Sequence, residues 1–282
     1  MSIELHPNAS DPLRTTPAVL TATGRTGLPA SIDVGGTVYR HVCVFKNDFF
    51  AVTAMYESQG DRVLLKVHRS ASFFGLPLRW IGRWLARREW AAFKQLSDVD
   101  GVPNPIARFG PTGIIREFVD GNPLQRGQCV PDEFHSRLRA LIDTLHRRGM
   151  AYVDLEKCEN VLVGTDGRPY LFDFQIAWLG SARWAANRWP LRAIRSRLQA
   201  GDLYHLAKLQ RRTRPDQMTR EALAASYRKP WYVRVHNRLT RPFTLTRRWL
   251  LNRVAPRQTP GERGRVATDK ETDLPLAPVE EV

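Results

Sequence analysis

Residues 150–177 place Asp154, Asn160 and Asp173 around two short apolar runs, 161–163 and 170–172. Between the runs lies Thr165-Asp166-Gly167-Arg168-Pro169, and Asp-Gly is the strongest hairpin dipeptide available. A hairpin with Asn at one foot and Asp at the other brings two oxygen donors together. Mg²⁺ suits such a pair, because it takes few protein oxygens and lets nucleotide phosphates complete its octahedron. Asp154 precedes Asn160 in a loop where a carboxylate could meet an acceptor hydroxyl. Taken singly, an Asp or Asn in a loop is more often a turn former than a ligand. The ordered set of three carries the expectation.

Two more charged residues stand upstream. Lys66 interrupts the apolar run Val63-Leu64-Leu65-Lys66-Val67. It reads either as an edge-strand lysine whose stem packs while its head reaches water, or as a cation held for phosphates. Glu89 is the only acidic residue between Asp61 and Asp98. It lies in residues 84–96, where Leu85, Trp90, Ala92, Phe93 and Leu96 suit a helix.

The order Asp…Asn, hairpin, Asp-Phe resembles the catalytic loop and metal-binding turn of the protein-kinase-like fold. The resemblance covers about residues 38–210. It implies an α+β, bilobal architecture with a small β-rich N-lobe and a mostly helical C-lobe. It implies Asp154 as catalytic base, Asn160 and Asp173 as Mg²⁺ ligands, and Lys66 paired with Glu89 on the phosphates of ATP. Residues 113–119 resemble the inter-lobe hinge, where backbone groups from Glu117 to Val119 would bind adenine. The chain departs from the pattern at three places. Tyr152-Val153-Asp154 stands for His-Arg-Asp, the Asp154-to-Asn160 spacing is one residue longer than usual, and Gln175 replaces the glycine of the turn.

The elements that must position these residues follow from pattern. Residues 1–30, rich in Pro, Thr, Ser and Ala, read as a flexible arm, 31–119 as the N-lobe, 120–255 as the C-lobe and 256–282 as a disordered tail. Strands are expected at 41–45, 49–56 and 62–68, with turns at 46–48 and 57–61. The first turn would be the phosphate cover, but it has no glycine; its backbone N–H groups and Lys46 could still face a phosphate. Asp120-Gly121-Asn122-Pro123 reads as a loop. A helix starting at Pro131-Asp132-Glu133 and stopped by Gly149 delivers the chain to Asp154, with His146 near its end read as structural. Asp202 is expected near the start of a later helix, as its cap or as an anchor for the catalytic loop.

Lys and Arg outnumber Asp and Glu by 43 to 28, for a formal charge of +15. From residue 179 to 257 there are 19 Lys and Arg against 3 Asp and Glu, so the excess sits in that stretch. Such a field favours phosphate-rich partners: nucleotide, nucleic acid, or an anionic glycolipid or membrane. Charge alone, without a reading module, is a weak signal for nucleic acid. Arg79, Arg83 and Arg87 form a basic stripe beside Trp80 and Trp84, either a membrane-facing helix or a solvated face. Residues 231–254 again mix aromatics with Arg. The cysteines Cys43, Cys129 and Cys158 are scattered, which suits a reducing compartment. With no apolar run of membrane-spanning length and no signal-peptide pattern, the expected location is cytoplasmic, including the inner face of the cytoplasmic membrane.

Val153 takes the place of the arginine that receives an activation-loop phosphate in regulated kinases, and Asp173 and Asp202 lie close in sequence. These departures resemble atypical bacterial kinases, particularly the lipopolysaccharide core (Kdo/heptose) kinases, and to a lesser degree RIO-type kinases. The resemblance implies transfer of the ATP γ-phosphate to a hydroxyl of lipopolysaccharide or another anionic glycolipid. A serine/threonine protein kinase and a non-catalytic kinase-like binding protein are the alternatives.

Overall fold

The computed structural model describes residues 21–24, 27–72, 78–180, 189–228 and 230. The expectations for most of the N-terminal arm, for 73–77 ahead of the basic helix, for 231–254 and for the tail lie outside the described residues.

Among the described residues, nine strands and four α-helices make two layers of contrasting composition. Strands β1 (Ser31–Val34), β2 (Thr37–Asn47), β3 (Ala51–Ser58), β4 (Asp61–His68), β5 (Pro105–Phe109) and β6 (Gly113–Glu117) form an antiparallel sheet in the order β1-β2-β3-β4-β6-β5. Helix α1 (Arg79–Gln95) packs on it. Strands β7 (Gly121–Pro123), β8 (Val161–Gly164) and β9 (Pro169–Leu171) form a second small sheet. Around it lie α2 (Phe134–Arg147), α3 (Leu191–Thr213) and α4 (Arg220–Tyr227). This is the bilobal α+β architecture expected, a β-rich N-lobe followed by a helical C-lobe.

The three expected strands form; β2 and β4 are longer than their expected runs, and β3 keeps its length but starts two residues later, at Ala51. The β3–β4 turn narrows to Gln59 and Gly60, both with positive φ, as a tight hairpin requires. Strands β1 and β5 and the pairing of 121–123 as β7 were not foreseen. Gly121 can pair there because it has no side chain; a Cβ would collide with the Val163 carbonyl.

One apolar cluster fills the sheet, from Ile32 through Tyr56 and Leu65 to Ile115. A larger one joins α2 and α3 to the hairpin and reaches up to Ala92 and Phe93 of α1 and to Leu96 just past its end. Helix α1 thus belongs to the N-lobe by its sheet contact and to the C-lobe by its buried end. Gly82 permits its close approach to the strand end, since a methyl at that position would meet the Arg69 carbonyl. Further down, Arg88 and Gln95 donate to the carbonyls of Ala177 and Gly180, just past Asp173. The position of α1 is therefore tied directly to the segment that carries Asp173.

Candidate active site

Lys66 lies on β4, between β3 and β6, so it is not an edge lysine. Its face of the sheet looks onto α1, and its ammonium is 2.8 Å from Glu89 Oε1 and 3.0 Å from Asp173 Oδ1. One cation thus joins the sheet, α1 and the C-lobe hairpin. Glu89 is fully buried, and its second oxygen is 2.8 Å from His68 Nε2. Burial disfavours the Lys66 ammonium, but the carboxylates of Asp173 and Glu89 override it and raise its pKa. Burial would likewise raise both acids, yet Lys66 holds Asp173 and Glu89 below the usual carboxylate range.

The hairpin β8–β9 sets Val161 opposite Leu171, so Asn160 and Asp173 leave it side by side. Both are buried. The Asn160 amide nitrogen donates to the Asp154 carbonyl at 3.1 Å, which aims its oxygen elsewhere. Asp173 gives one oxygen to Lys66 and keeps the other. Two hard oxygens from adjacent strand ends fit Mg²⁺, which needs no all-protein cage. The described residues contain no group of three or more His, Cys, Asp and Glu able to hold a metal ion.

Asp154 is 8 % exposed, with its carboxylate 2.7 Å from Lys157 Nζ. Burial pushes its pKa up, against the pull of Lys157. Lys157 was not singled out in the sequence because the lengthened loop obscures its alignment; its only signal was a basic residue between two acidic ones. The rings of Phe93, Phe174 and Tyr152 form a buried column, each neighbouring pair T-shaped with centroids 5.3 Å apart. Through this column α1 leans on the residue after Asp173 and on the start of the Asp154 loop.

Asp202 is not a helix cap. Helix α3 begins at Leu191, and Asp202 lies buried in its middle. Its carboxylate accepts the N–H groups of Tyr152 and Val153 at 2.8 and 2.7 Å and lies 2.9 Å from His146 Nε2. Of the two roles read from sequence, the anchor is the one found. His146, read as structural, supports it.

The β2–β3 connection departs from expectation. Lys46 and Asn47 remain in β2, and the Asp48 carboxylate accepts the N–H groups of Phe50 and Ala51 at 2.8 and 2.9 Å. Within the expected turn the Asp48 N–H is committed to the Ala51 carbonyl at 3.0 Å, while Lys46 pairs with Asp48 at 3.3 Å and its charge also lowers the pKa of Asp173. Buried Arg69 also holds the Phe49 carbonyl at 2.9 Å and stacks on the Phe49 ring.

At the C-terminal end of β6, Glu117 N–H donates to the Asn104 carbonyl, and its carboxylate accepts from the Asn104 side chain and N–H. Its carbonyl accepts from Arg116 at 3.2 Å. Val119 follows in the half-buried link to β7. Of the two expected base-binding residues, Val119 keeps its backbone uncommitted among the described residues, while the Glu117 N–H does not. Arg116 is buried, and burial lowers its guanidinium to about 10, so it stays charged at neutral pH.

No family model matches the chain, and no curated protein matches it. Among solved structures it is similar to the Rio2 kinase from Chaetomium thermophilum, with 22 % identity and a TM-score of 0.44 over 62 % of this chain and 59 % of that one. It is also similar to the ADP/Mg²⁺-phosphoaspartate complex of Rio2 kinase from the same organism, with 19 % identity and a TM-score of 0.46 over 70 % of this chain and 63 % of that one. The chain thus spans less than two thirds of the length of either. No helix among the described residues is long and apolar enough to cross a membrane.

Proposed function

We propose that the protein is an ATP-dependent phosphotransferase that moves the γ-phosphate to a hydroxyl group. The carrying observation is that one ammonium, Lys66, bonds both Glu89 of α1 and Asp173 of the hairpin. Phosphoryl transfer needs charge neutralisation and alignment more than covalent help. Lys66, oriented by Glu89, holds phosphate oxygens. Asn160 and Asp173 would hold Mg²⁺, whose charge neutralises the phosphates. Asp154 accepts the proton of the acceptor hydroxyl as the new O–P bond forms and the bond to the nucleoside diphosphate breaks. The backbone of Val119, with the carbonyl of Glu117, contacts the base.

For the acceptor we infer an anionic glycolipid, of the lipopolysaccharide type, met at a membrane surface. What supports this is the outer face of α1: Trp80 and Trp84 are 66 % and 52 % exposed, flanked by exposed Arg79, Arg83 and Arg87. None of these arginines has a carboxylate within ion-pair reach among the described residues. Tryptophan beside arginine on one helical face suits an anionic interface.

The test is transfer of radiolabel from γ-labelled Mg-ATP into a membrane extract, separated into glycolipid and protein fractions. Wild type would be compared with Asp173→Asn and Asp154→Ala. The proposal expects label in glycolipid, lost in both variants, with nucleotide binding lost only in Asp173→Asn. Label in protein would favour a serine/threonine kinase. Full activity in Asp173→Asn would overturn the site. No transfer and no Mg-ATP binding would leave a kinase-shaped binding protein, the reading that the committed turn at Asp48 favours.

A further inference from the structure

Strand β2 brings a second lysine onto the sheet face that holds Lys66. The register pairs Lys46 with Thr53 and Thr53 with Lys66, so the three stand in one row across β2, β3 and β4. Residues directly opposite each other on paired strands share a face. The other face is accounted for: Val52, Ala54, Leu65 and Val67, which flank Thr53 and Lys66 in sequence, all belong to the apolar cluster of the sheet. Val44 packs against that cluster, and regular alternation would put Lys46 there too. An irregularity in the pairing between Val44 and Lys46 turns the lysine to the opposite side. Lys46 and Lys66 thus start about 10 Å apart, two strand spacings, on the face that meets Asp173. Burial alone would raise the Asp173 carboxyl; Lys66, and after it Lys46, hold it below the usual range.

The bend beyond Lys46 has little backbone to offer an anion. The Asp48 N–H is taken by the Ala51 carbonyl, and those of Phe50 and Ala51 by the Asp48 carboxylate. Side chains remain. The Lys46 side chain is 59 % exposed and its ammonium lies 3.3 Å from Asp48, an ion pair open to water that loses little when broken. The half-buried Thr53 hydroxyl has no partner among the described residues. A hydroxyl between two ammonium groups is a donor set suited to an extended anion.

We propose that Lys46, Thr53 and Lys66 form a side-chain cradle for the polyphosphate of the nucleotide, in place of the backbone cradle that a glycine-rich turn would supply. This rests on the phosphotransferase reading. Lys66 holds the inner phosphates beside Asp173, Thr53 donates its O–H between the two lysines, and Lys46 leaves Asp48 to close on the terminal phosphate. The exchange leaves the bend in shape, because Asp48 holds the two turn N–H groups through Oδ1 and the ammonium through Oδ2. Lysine suits the outer position, being a compact point charge on a flexible stem.

The experiment is isothermal titration calorimetry of the full chain with ATP and with ADP in the presence of Mg²⁺. Lys46→Met should weaken ATP at least about tenfold, the scale of one charge-assisted hydrogen bond, and leave ADP nearly unchanged. Thr53→Val should weaken ATP about fivefold, as for a neutral hydrogen bond. Lys94→Met removes the same charge from an exposed position on α1 and should change neither nucleotide, which separates a placed cation from the net charge of the chain. Lys46 is exposed, so its truncation leaves the core intact. ATP affinity at the wild-type level in Lys46→Met would overturn the cradle and leave the phosphotransferase reading standing. Equal losses for ATP and ADP would overturn it as well, since Lys46 would then shape the bend and not touch the terminal phosphate. Failure of the wild type to bind ATP would remove both.

Discussion

The N–H of Val153 donates to Asp202 Oδ1 at 2.7 Å while Val153 itself stands at φ +72. A β-branched residue in the left-handed region is a true outlier, costing on the order of 1–3 kcal/mol. The strain lies immediately before Asp154. Asp202 opposes it with a fully buried carboxylate that also accepts from Tyr152. The turn that aims Asp154 is therefore imposed by α3 and not chosen by the local sequence.

Removing that carboxylate leaves two buried N–H groups unmatched. Asp202→Ala should destabilise the fold by about 3 kcal/mol. It should also lower the transfer rate well beyond any change in nucleotide affinity, since Lys66 and Asp173 are not its partners. Thermal melting and nucleotide titration on the same preparation check this. An unchanged melting temperature would mean that the anchor is idle.

Lys66→Met strands two buried carboxylates without their cation, a loss of about 3–5 kcal/mol at neutral pH. In the wild type Asp173 and Glu89 are depressed, so their contribution is fully present above their unfolded pKa near 4. It is lost as pH falls through the lower folded values. In the variant both acids take up protons more readily, which relieves the unpaired charge. The stability gap between variant and wild type should therefore narrow as pH falls from neutral toward the acid range. Denaturant melts at several pH values measure it; a constant gap would contradict the charge coupling.

Asp154 must be ionised to accept a proton. Burial holds its pKa above the usual aspartate range, and Lys157 opposes that rise. Activity should fall as pH drops through the Asp154 pKa. Lys157→Met removes the opposing charge, so the acidic limb of the rate profile should move to higher pH by about one unit. A limb that stays put or moves down would assign the titration to another group.

What the sequence disclosed depended on contrast. Lys66 stood out as a charge in an apolar run, and Glu89 as the sole acid in its neighbourhood, and the two meet at 2.8 Å. The hairpin was legible because Asp166-Gly167 has one preferred conformation. Asp202 was misplaced because Gly201 reads as the start of a helix, whereas it lies inside α3. Strand β5 was hidden by its shortness and its Pro105. Arg116 drew no notice because a charge near a strand end ordinarily reaches water; only the packing of Phe93 and Phe172 shows that it does not.

The exposed face of α1 separates a membrane contact from a solvated surface. Trp80 and Trp84 make the apolar part of that face, and Trp84 is also stacked by Arg88 at 4.8 Å. On the glycolipid reading, Trp80→Ala with Trp84→Ala should reduce co-sedimentation with vesicles rich in anionic phospholipid by at least about fivefold, from lost apolar insertion. High salt should reduce it further by screening Arg79, Arg83 and Arg87. Neither substitution touches the Lys66 network, so nucleotide binding should persist. Undiminished vesicle binding in the double variant would move the contact elsewhere on the chain. Failure of wild type to bind such vesicles at all would remove the membrane from the proposal and leave a soluble acceptor as the substrate to seek.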